Sequence, residues 1–261
     1  MDDANSALQD VSTTRGIQTY CDIVIDSSQK ATGQLILIYN GTVCSGKTRT
    51  GSITINLPFN GSAVTRWSVA GCRAVLTFYN YKVTNASNNK SLTLNGSASM
   101  INVNGGGYLQ LVLGTPIINQ VRANMALTFD DGTTRNWKTA ARRTLSYIGS
   151  YPNGTLKSAI AGDTIIGSHN KVEMWGTDRA GENFTIDMPT DYSYDIYNPG
   201  TNCIYKPLTG MKVNYWITHE LTQTFGVDAA GIIVASGCPY GYKYSWYEGS
   251  DFHEYVLPYP Y

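Results

Sequence analysis

The stretch at residues 44–83, CSGKTRTGSITINLPFNGSAVTRWSVAGCRAVLTFYNYKV, contains the pattern that decides the fold. Apolar and polar residues alternate in two runs, 48–57 and 73–83, and a polar loop rich in Gly, Asn and Ser lies between them. Alternation with a period of two is typical of a β-strand, because successive side chains point to opposite faces. Both faces of the second run are apolar or aromatic, which predicts a strand inside a sheet.

The rest of the chain repeats this pattern in about fifteen short runs separated by turn signals. Asp131-Gly132 is the strongest hairpin signal. No window has a sustained helical period, so residues 108–113 are also predicted as a strand, and Asn95-Gly96 as a bulge within a long one. The pattern predicts an all-β fold, a large antiparallel β-meander with a curved or rolled sheet. A β-barrel and a β-sandwich are the alternatives.

The chain has 261 residues, and no linker divides it. Residues 1–19 are small and polar and are predicted to be an N-terminal tether. Residues 20–261 are predicted to form a single all-β domain with an aromatic C-terminal tail. The first residues lack the basic and apolar regions of a signal peptide. We therefore expect that Met1 stands before a mature N-terminus whose export signal has been removed.

Five cysteines occur, without any CxxC or zinc-ligand spacing. Two pairs each bracket a predicted hairpin, which predicts the disulfides Cys21–Cys44 and Cys203–Cys238. Cys72 is then expected to be free and buried. The alternative is five unpaired thiols in a reducing compartment. The low charge and the abundance of Tyr, Asn and Gly favour disulfides in an oxidising compartment outside the cytoplasm.

Composition argues against most catalytic and nucleic-acid-binding classes. Net charge is zero and only 15% of residues are charged, without a basic cluster that could bind nucleic acid. No apolar run is long enough for a transmembrane segment. The GKT at 46–48 lacks the preceding glycine of a phosphate-binding loop, and no GxSxG motif accompanies the three histidines, which are expected to be exposed. The chain is predicted not to be an enzyme and to need no metal or cofactor. Three carboxylates could in principle bind calcium but lack the spacing of an EF-hand loop: Asp187, Asp191 and Asp195.

Aromatic residues are the more informative feature, since the chain has 19 Tyr, 5 Trp and 6 Phe. Many of them lie in the last 23 residues. Amphipathic rings bury a large area while their polar edges stay hydrated, which suits protein and sugar surfaces. The alternative is a cross-strand ladder that covers the end of the sheet. The predicted binding surface consists of Tyr240, Tyr242, Tyr244, Trp246, Tyr247 and Tyr255.

An ordered series of short motifs resembles a loosely defined group of exported proteins of Bacteroidota, often lipoproteins, whose function is uncharacterised. The series comprises residues 21–26 (CDIVID), Cys44, 49–55 (RTGSITI), 76–83 (LTFYNYKV), 127–137 (LTFDDGTTRNW), Cys203 and Cys238. The resemblance implies a periplasmic or cell-surface protein, anchored through a lipid at the N-terminus of its native precursor, and implies no activity. The aromatic tail departs from that group, and so does the start of the chain, which has no lipobox cysteine.

These patterns favour an exported cell-envelope protein with a non-enzymatic binding or structural and assembly role. Its expected partner is an envelope protein or a glycan. The alternative is a carbohydrate-active hydrolase or a glycan-binding module. A pair of carboxylates about 5–10 Å apart at the base of an aromatic cleft would favour the hydrolase.

Overall fold

A computed structural model describes residues 17–201, 203–217 and 219–259, with side chains described from Cys21 onward. Nearly all of the regular secondary structure in this part of the chain is β-strand, so the all-β prediction is confirmed. It contains one antiparallel sheet of sixteen strands. The strands are β1 (Ile17–Tyr20), β2 (Ile23–Asp26), β3 (Gln34–Cys44), β4 (Lys47–Asn56), β5 (Cys72–Asn85), β6 (Ser91–Asn102), β7 (Ile117–Phe129), β8 (Thr134–Ile148), β9 (Thr155–Gly162), β10 (Thr164–Ile166), β11 (His169–Thr177), β12 (Asn183–Tyr197), β13 (Pro207–Trp216), β14 (Glu220–Val227), β15 (Gly241–Glu248) and β16 (Asp251–Pro258).

The strands follow one another across the sheet in sequence order, so the predicted meander is confirmed. Apart from the short links on either side of β10, connections of two to five residues join strands at one end of the sheet, which we call the hairpin end. Connections of six to fifteen residues lie at the opposite end, which we call the loop end. The loop-end connections are residues 27–33, 57–71, 103–116, 149–154, 198–206 and 228–240.

The meander is interrupted once, between β8 and β12. Both β9 and β11 pair with these two strands, each over a different length, so β8, β9, β12 and β11 form a small closed portion of the sheet. Gly162 ends β9 at the point where it meets β11. A Cβ there would lie 1.7 Å from the Lys171 carbonyl oxygen, so only glycine permits this approach.

The main core lies on one face of β2–β6, which we call face A. Leu37 is almost completely buried and is flanked in register by Ile25 and Ile53. Trp67, in the loop between β4 and β5, packs against this cluster. The two-sided strand predicted at 73–83 is β5, and it lies between β4 and β6. The predicted irregularity near Asn95-Gly96 is a bulge on the partner strand, where Asn80 has a φ of 46° and its N–H donates to Asn95 Oδ1 over 2.8 Å.

A strand was predicted at 108–113, and this prediction is wrong. These residues begin a one-turn helix, α1 (Tyr108–Val112), because glycines flank the segment and Gln110 Oε1 accepts the N–H of Gly107 over 2.9 Å. A short apolar run does not distinguish a strand from a helix by its period. Leu111 is buried against Ile117 and Tyr147, so α1 covers a second, smaller core.

Four other boundaries differ from the sequence prediction. The aromatic tail forms strand β16, which pairs with β15 over its whole length. Residues 232–235, predicted as a strand, make only one bridge, between Ile233 and Val227. β12 runs through Pro189 without ending, because its pairing with β13 shifts register between Asp187 and Thr190, where the proline has no N–H to donate. Strand β1 begins within the predicted tether, and residues 1–16 of that tether lie outside the described residues.

Both predicted disulfides are confirmed. Cys21–Cys44 lies at the hairpin end, with its Cα atoms 6.0 Å apart. Cys203–Cys238 joins two connections at the loop end, with its Cα atoms 5.4 Å apart. Cys72 is free and buried, as predicted, and burial raises the pKa of its thiol. Both covalent links therefore join segments that the sheet alone would hold only through hydrogen bonds.

Candidate functional site

A pocket of about 360 Å³ opens at the hairpin end of strands β13–β16. Five of its eight lining residues are aromatic. The lining consists of Trp216, His219, Glu220, Leu221, Tyr244, Trp246, Tyr247 and Tyr255. We call it the aromatic pocket. Its volume lies within the usual range for small-ligand sites.

Strand register explains why these residues meet. Leu221 of β14 is paired with Trp246 of β15, and Tyr244 of β15 is paired with Tyr255 of β16. Because side chains alternate between faces, these residues all lie on the same face of the sheet. Trp216 joins them from the end of β13, across the short turn that leads to β14. Three hairpin-connected strands and the end of a fourth thus build one aromatic surface.

Each tryptophan of the pocket is stacked on a histidine. The rings of Trp216 and His219 are 4.6 Å apart and inclined by 14°, and those of Trp246 and His253 are 5.4 Å apart and inclined by 22°. His253 is paired with Trp246 across β15 and β16 and is not part of the lining. These contacts fix the orientation of two large flat rings and leave indole surface directed toward the pocket.

Polar groups stand at the margin of this apolar surface. The lining offers the carboxylate of Glu220, the imidazole of His219 and three phenol groups. Burial raises the pKa of Tyr244, and neighbouring Tyr242 raises it further. Its phenol therefore keeps its proton over the physiological range and can donate a hydrogen bond to a ligand.

The structure brings together four of the six residues predicted from the sequence: Tyr244, Trp246, Tyr247 and Tyr255. Tyr242 lies on the same face but packs in a row of rings between Phe225 and Tyr259. Tyr240 is half-exposed in the loop before β15, outside the pocket. The predicted alternative, a cross-strand ladder of rings, thus describes Tyr242. The four lining residues form a recess instead.

Sequence reasoning missed Trp216, His219, Glu220 and Leu221. Trp216 and Leu221 belong to strands that the sequence does predict, on either side of a short turn. Their alternation could have placed them on one face. Only the pairing of β14 with β15, however, brings them next to the C-terminal aromatics. His219 is an exposed turn residue, as expected, but its stacking on Trp216 was not predicted.

The remaining acidic and histidine candidates do not form a common site. Asp187 Oδ2 accepts a hydrogen bond from His169 Nδ1 over 3.1 Å, and that imidazole packs on Tyr215. Asp195 is buried and accepts a hydrogen bond from Asn198, whereas Asp191 lies 3.6 Å from Lys171. The three carboxylates set aside as a calcium site thus have separate partners.

Among the described residues, one group has metal-ligand proximity: Cys21, Asp22 and Cys44. Its two sulfur atoms form a disulfide, and the buried Asp22 carboxylate pairs with Arg49 over 2.8 Å. A disulfide sulfur is not a thiolate and cannot serve as a normal metal ligand. This cluster therefore has a structural role.

No helix in residues 17–201, 203–217 or 219–259 has the length and hydrophobicity needed to cross a bilayer. No protein-family model, curated protein or solved structure matches the chain. The functional inference therefore depends on the geometry of the pocket and on the surfaces of the sheet.

Proposed function

We propose that this chain is a non-enzymatic binding protein of the bacterial cell envelope, and that the aromatic pocket is its glycan-binding site. The observation that carries the proposal is the grouping of Trp216, Trp246, Tyr244 and Tyr255 around one recess at the surface. Two disulfides support a location outside the reducing cytoplasm. Export to the periplasm or cell surface and lipid anchoring are part of the proposal.

A sugar ring has chemistry that suits this recess. One face of a pyranose presents C–H groups that pack flat on an indole, while its hydroxyls project sideways and need hydrogen-bonding partners. The two tryptophans are held flat by their histidine neighbours and supply the apolar platform. Glu220, His219 and the tyrosine hydroxyls surround it and supply donors and acceptors. The volume accommodates one or two sugar rings of a longer chain.

The arrangement of carboxylates favours binding over hydrolysis. A glycosidase needs two carboxyl groups about 5–10 Å apart, one as acid and the other as base or nucleophile. Glu220 is the single carboxylate among the lining residues. Glu248 and Asp251 belong to the adjacent hairpin and are exposed. We therefore keep the hydrolase as the alternative and the glycan-binding protein as the proposal.

The test combines a glycan array with a pull-down from envelope extract, followed by calorimetry on any glycan that binds. Trp246→Ala is expected to weaken binding at least tenfold, because it removes half of the stacking platform. Tyr240→Ala is the matched control, since this half-exposed tyrosine lies outside the pocket. It should bind like the wild type.

Absence of binding in both the array and the pull-down would refute the binding role. Equal losses for the two variants would refute the assignment of the pocket. Release of reducing sugar that Glu220→Gln abolishes would establish the hydrolase instead.

A further inference from the structure

Three segments without a single Asp, Glu, Lys or Arg meet at the loop end of the sheet. They are residues 91–121, 144–156 and 196–205. Pairing brings the second and third together, because Tyr147 is in register with Leu156 and Leu156 with Tyr197. α1 brings in the first through its packing on Tyr147. The Tyr108 phenol also lies within electrostatic range of the phenols of Tyr151, Tyr147 and Tyr197.

The side chains that this region presents to solvent are large and apolar. The exposed fractions are 67% for Leu109 and 75% for Leu113, values that are unusual for leucine in a folded chain. We call the whole group the end patch. It consists of Tyr108, Leu109, Leu113, Ile148, Tyr151 and Tyr197.

The backbone beneath the end patch is firmly held. Asn104 closes the α1 connection, since its Nδ2 donates to the Pro116 carbonyl over 2.6 Å and its Oδ1 accepts the N–H of Ile118 over 2.8 Å. At the β8–β9 turn, the N–H of Gly154 donates to the hydroxyl of Tyr147 over 2.9 Å. With Leu111 already buried beneath the helix, the leucines on its other side cannot turn inward.

We propose that the end patch docks this protein onto the interface of a lipid bilayer. Aliphatic tips can enter the acyl region, while tyrosines favour the headgroup level, where the ring is buried and the hydroxyl stays wet. The three segments carry no charge that would have to lose its water on insertion. This inference is independent of the proposed glycan binding.

Area and composition favour a bilayer over a protein partner. Six side chains about 45–75% exposed present on the order of 600 Å², below the roughly 800 Å² per partner of a stable protein interface. Arginine is enriched in protein interfaces, and these segments contain no arginine or other charged residue. A second copy of the chain is therefore the weaker candidate, and the experiment below distinguishes it.

Docking through the end patch would orient the sheet. The aromatic pocket lies at the hairpin end of β13–β16, and the end patch lies at the loop end of β8, β9 and β12. Because the strands run between these two ends, the pocket would face away from the membrane. A glycan layer outside the bilayer is then on the pocket's side.

The test is sedimentation of the full chain with sucrose-loaded vesicles of pure phosphatidylcholine, which carry neither net charge nor sugar. We expect partitioning that stays within twofold between about 0.1 and 1 M NaCl, because charge does not contribute. The double variant Leu109→Ser/Leu113→Ser should lower the partition coefficient at least tenfold. Ile165→Ser/Ile217→Ser is the matched control, with native exposures of 66% and 78% away from the end patch, and should not change it.

A second readout does not depend on loss of binding. Tyr151→Trp adds a sixth tryptophan, in the end patch, and the difference between its emission and that of the wild type should shift to the blue and be quenched by brominated phosphatidylcholine. Absence of vesicle binding, equal effects of the two double variants, or an unquenched reporter would each overturn the proposal. A dimer that dissociates in the Leu109→Ser/Leu113→Ser variant, without vesicle binding, would assign the end patch to a second copy of the chain.

Discussion

Truncation of Leu37 tests whether face A of the sheet is the stabilising core. Its side chain is 1% exposed and lies between Ile25 and Ile53 in register. These neighbours are held by their own strands, so they cannot move far into the cavity that the truncation leaves. Leu37→Ala should cost about 3 kcal/mol of unfolding free energy, in the middle of the range for buried leucines. At roughly 2 °C per kcal/mol for a chain of this size, the Tm should fall by about 6 °C.

The adjacent residue supplies the control. Ile38 points to the opposite face and is 43% exposed. Ile38→Ala should cost about 1 kcal/mol, mainly through lower strand propensity, and shift the Tm by about 2 °C. Urea unfolding followed by far-UV circular dichroism measures both free energies. An Ile38→Ala cost equal to or above that of Leu37→Ala would show that the buried face has been assigned to the wrong side of the sheet.

Two further perturbations follow from the covalent links and the buried phenol. The Cys203→Ser/Cys238→Ser variant should lose roughly 4 kcal/mol of unfolding free energy, because the released loop gains chain entropy in the unfolded state. Cys72→Ser should leave both disulfides intact in non-reducing mass mapping. Cleavage products that link Cys72 to another cysteine would contradict the assigned pairs. Burial raises the pKa of Tyr259 to about 12, and its hydroxyl donates to the Pro207 carbonyl over 2.8 Å and accepts the N–H of Gly226 over 3.1 Å. Because the fold favours the neutral phenol, the phenol's contribution to the unfolding free energy is complete below pH 10 and is lost as the pH rises toward 12. Tyr259→Phe should therefore be less stable than the wild type by about 1–3 kcal/mol at pH 8, and this difference should disappear near pH 12. A stability difference that stays constant over this range would refute the role of the phenol.

Much of the candidate site could be predicted, because the alternating pattern of β15 places Tyr244 and Trp246 on one face. The errors have physical causes. Residues 108–113 are too few for their period to separate one helical turn from a strand, and flanking glycines decide the result. The tail at 251–258 looks irregular by composition, yet β15 offers it a complete row of backbone partners and makes it a strand.

By itself, the sequence determines the fold class, because the two-residue period and the turn dipeptides are local properties of the chain. It also predicts both disulfides, since each pair of cysteines brackets a predicted hairpin. Only the tertiary structure decides which distant residues share a surface. Trp216 and Trp246 line one recess through the pairing of β14 with β15, and α1 reaches the turn after β8 through its packing on Tyr147. Both surfaces on which the functional proposals depend arise from long-range pairing, which local patterns do not encode.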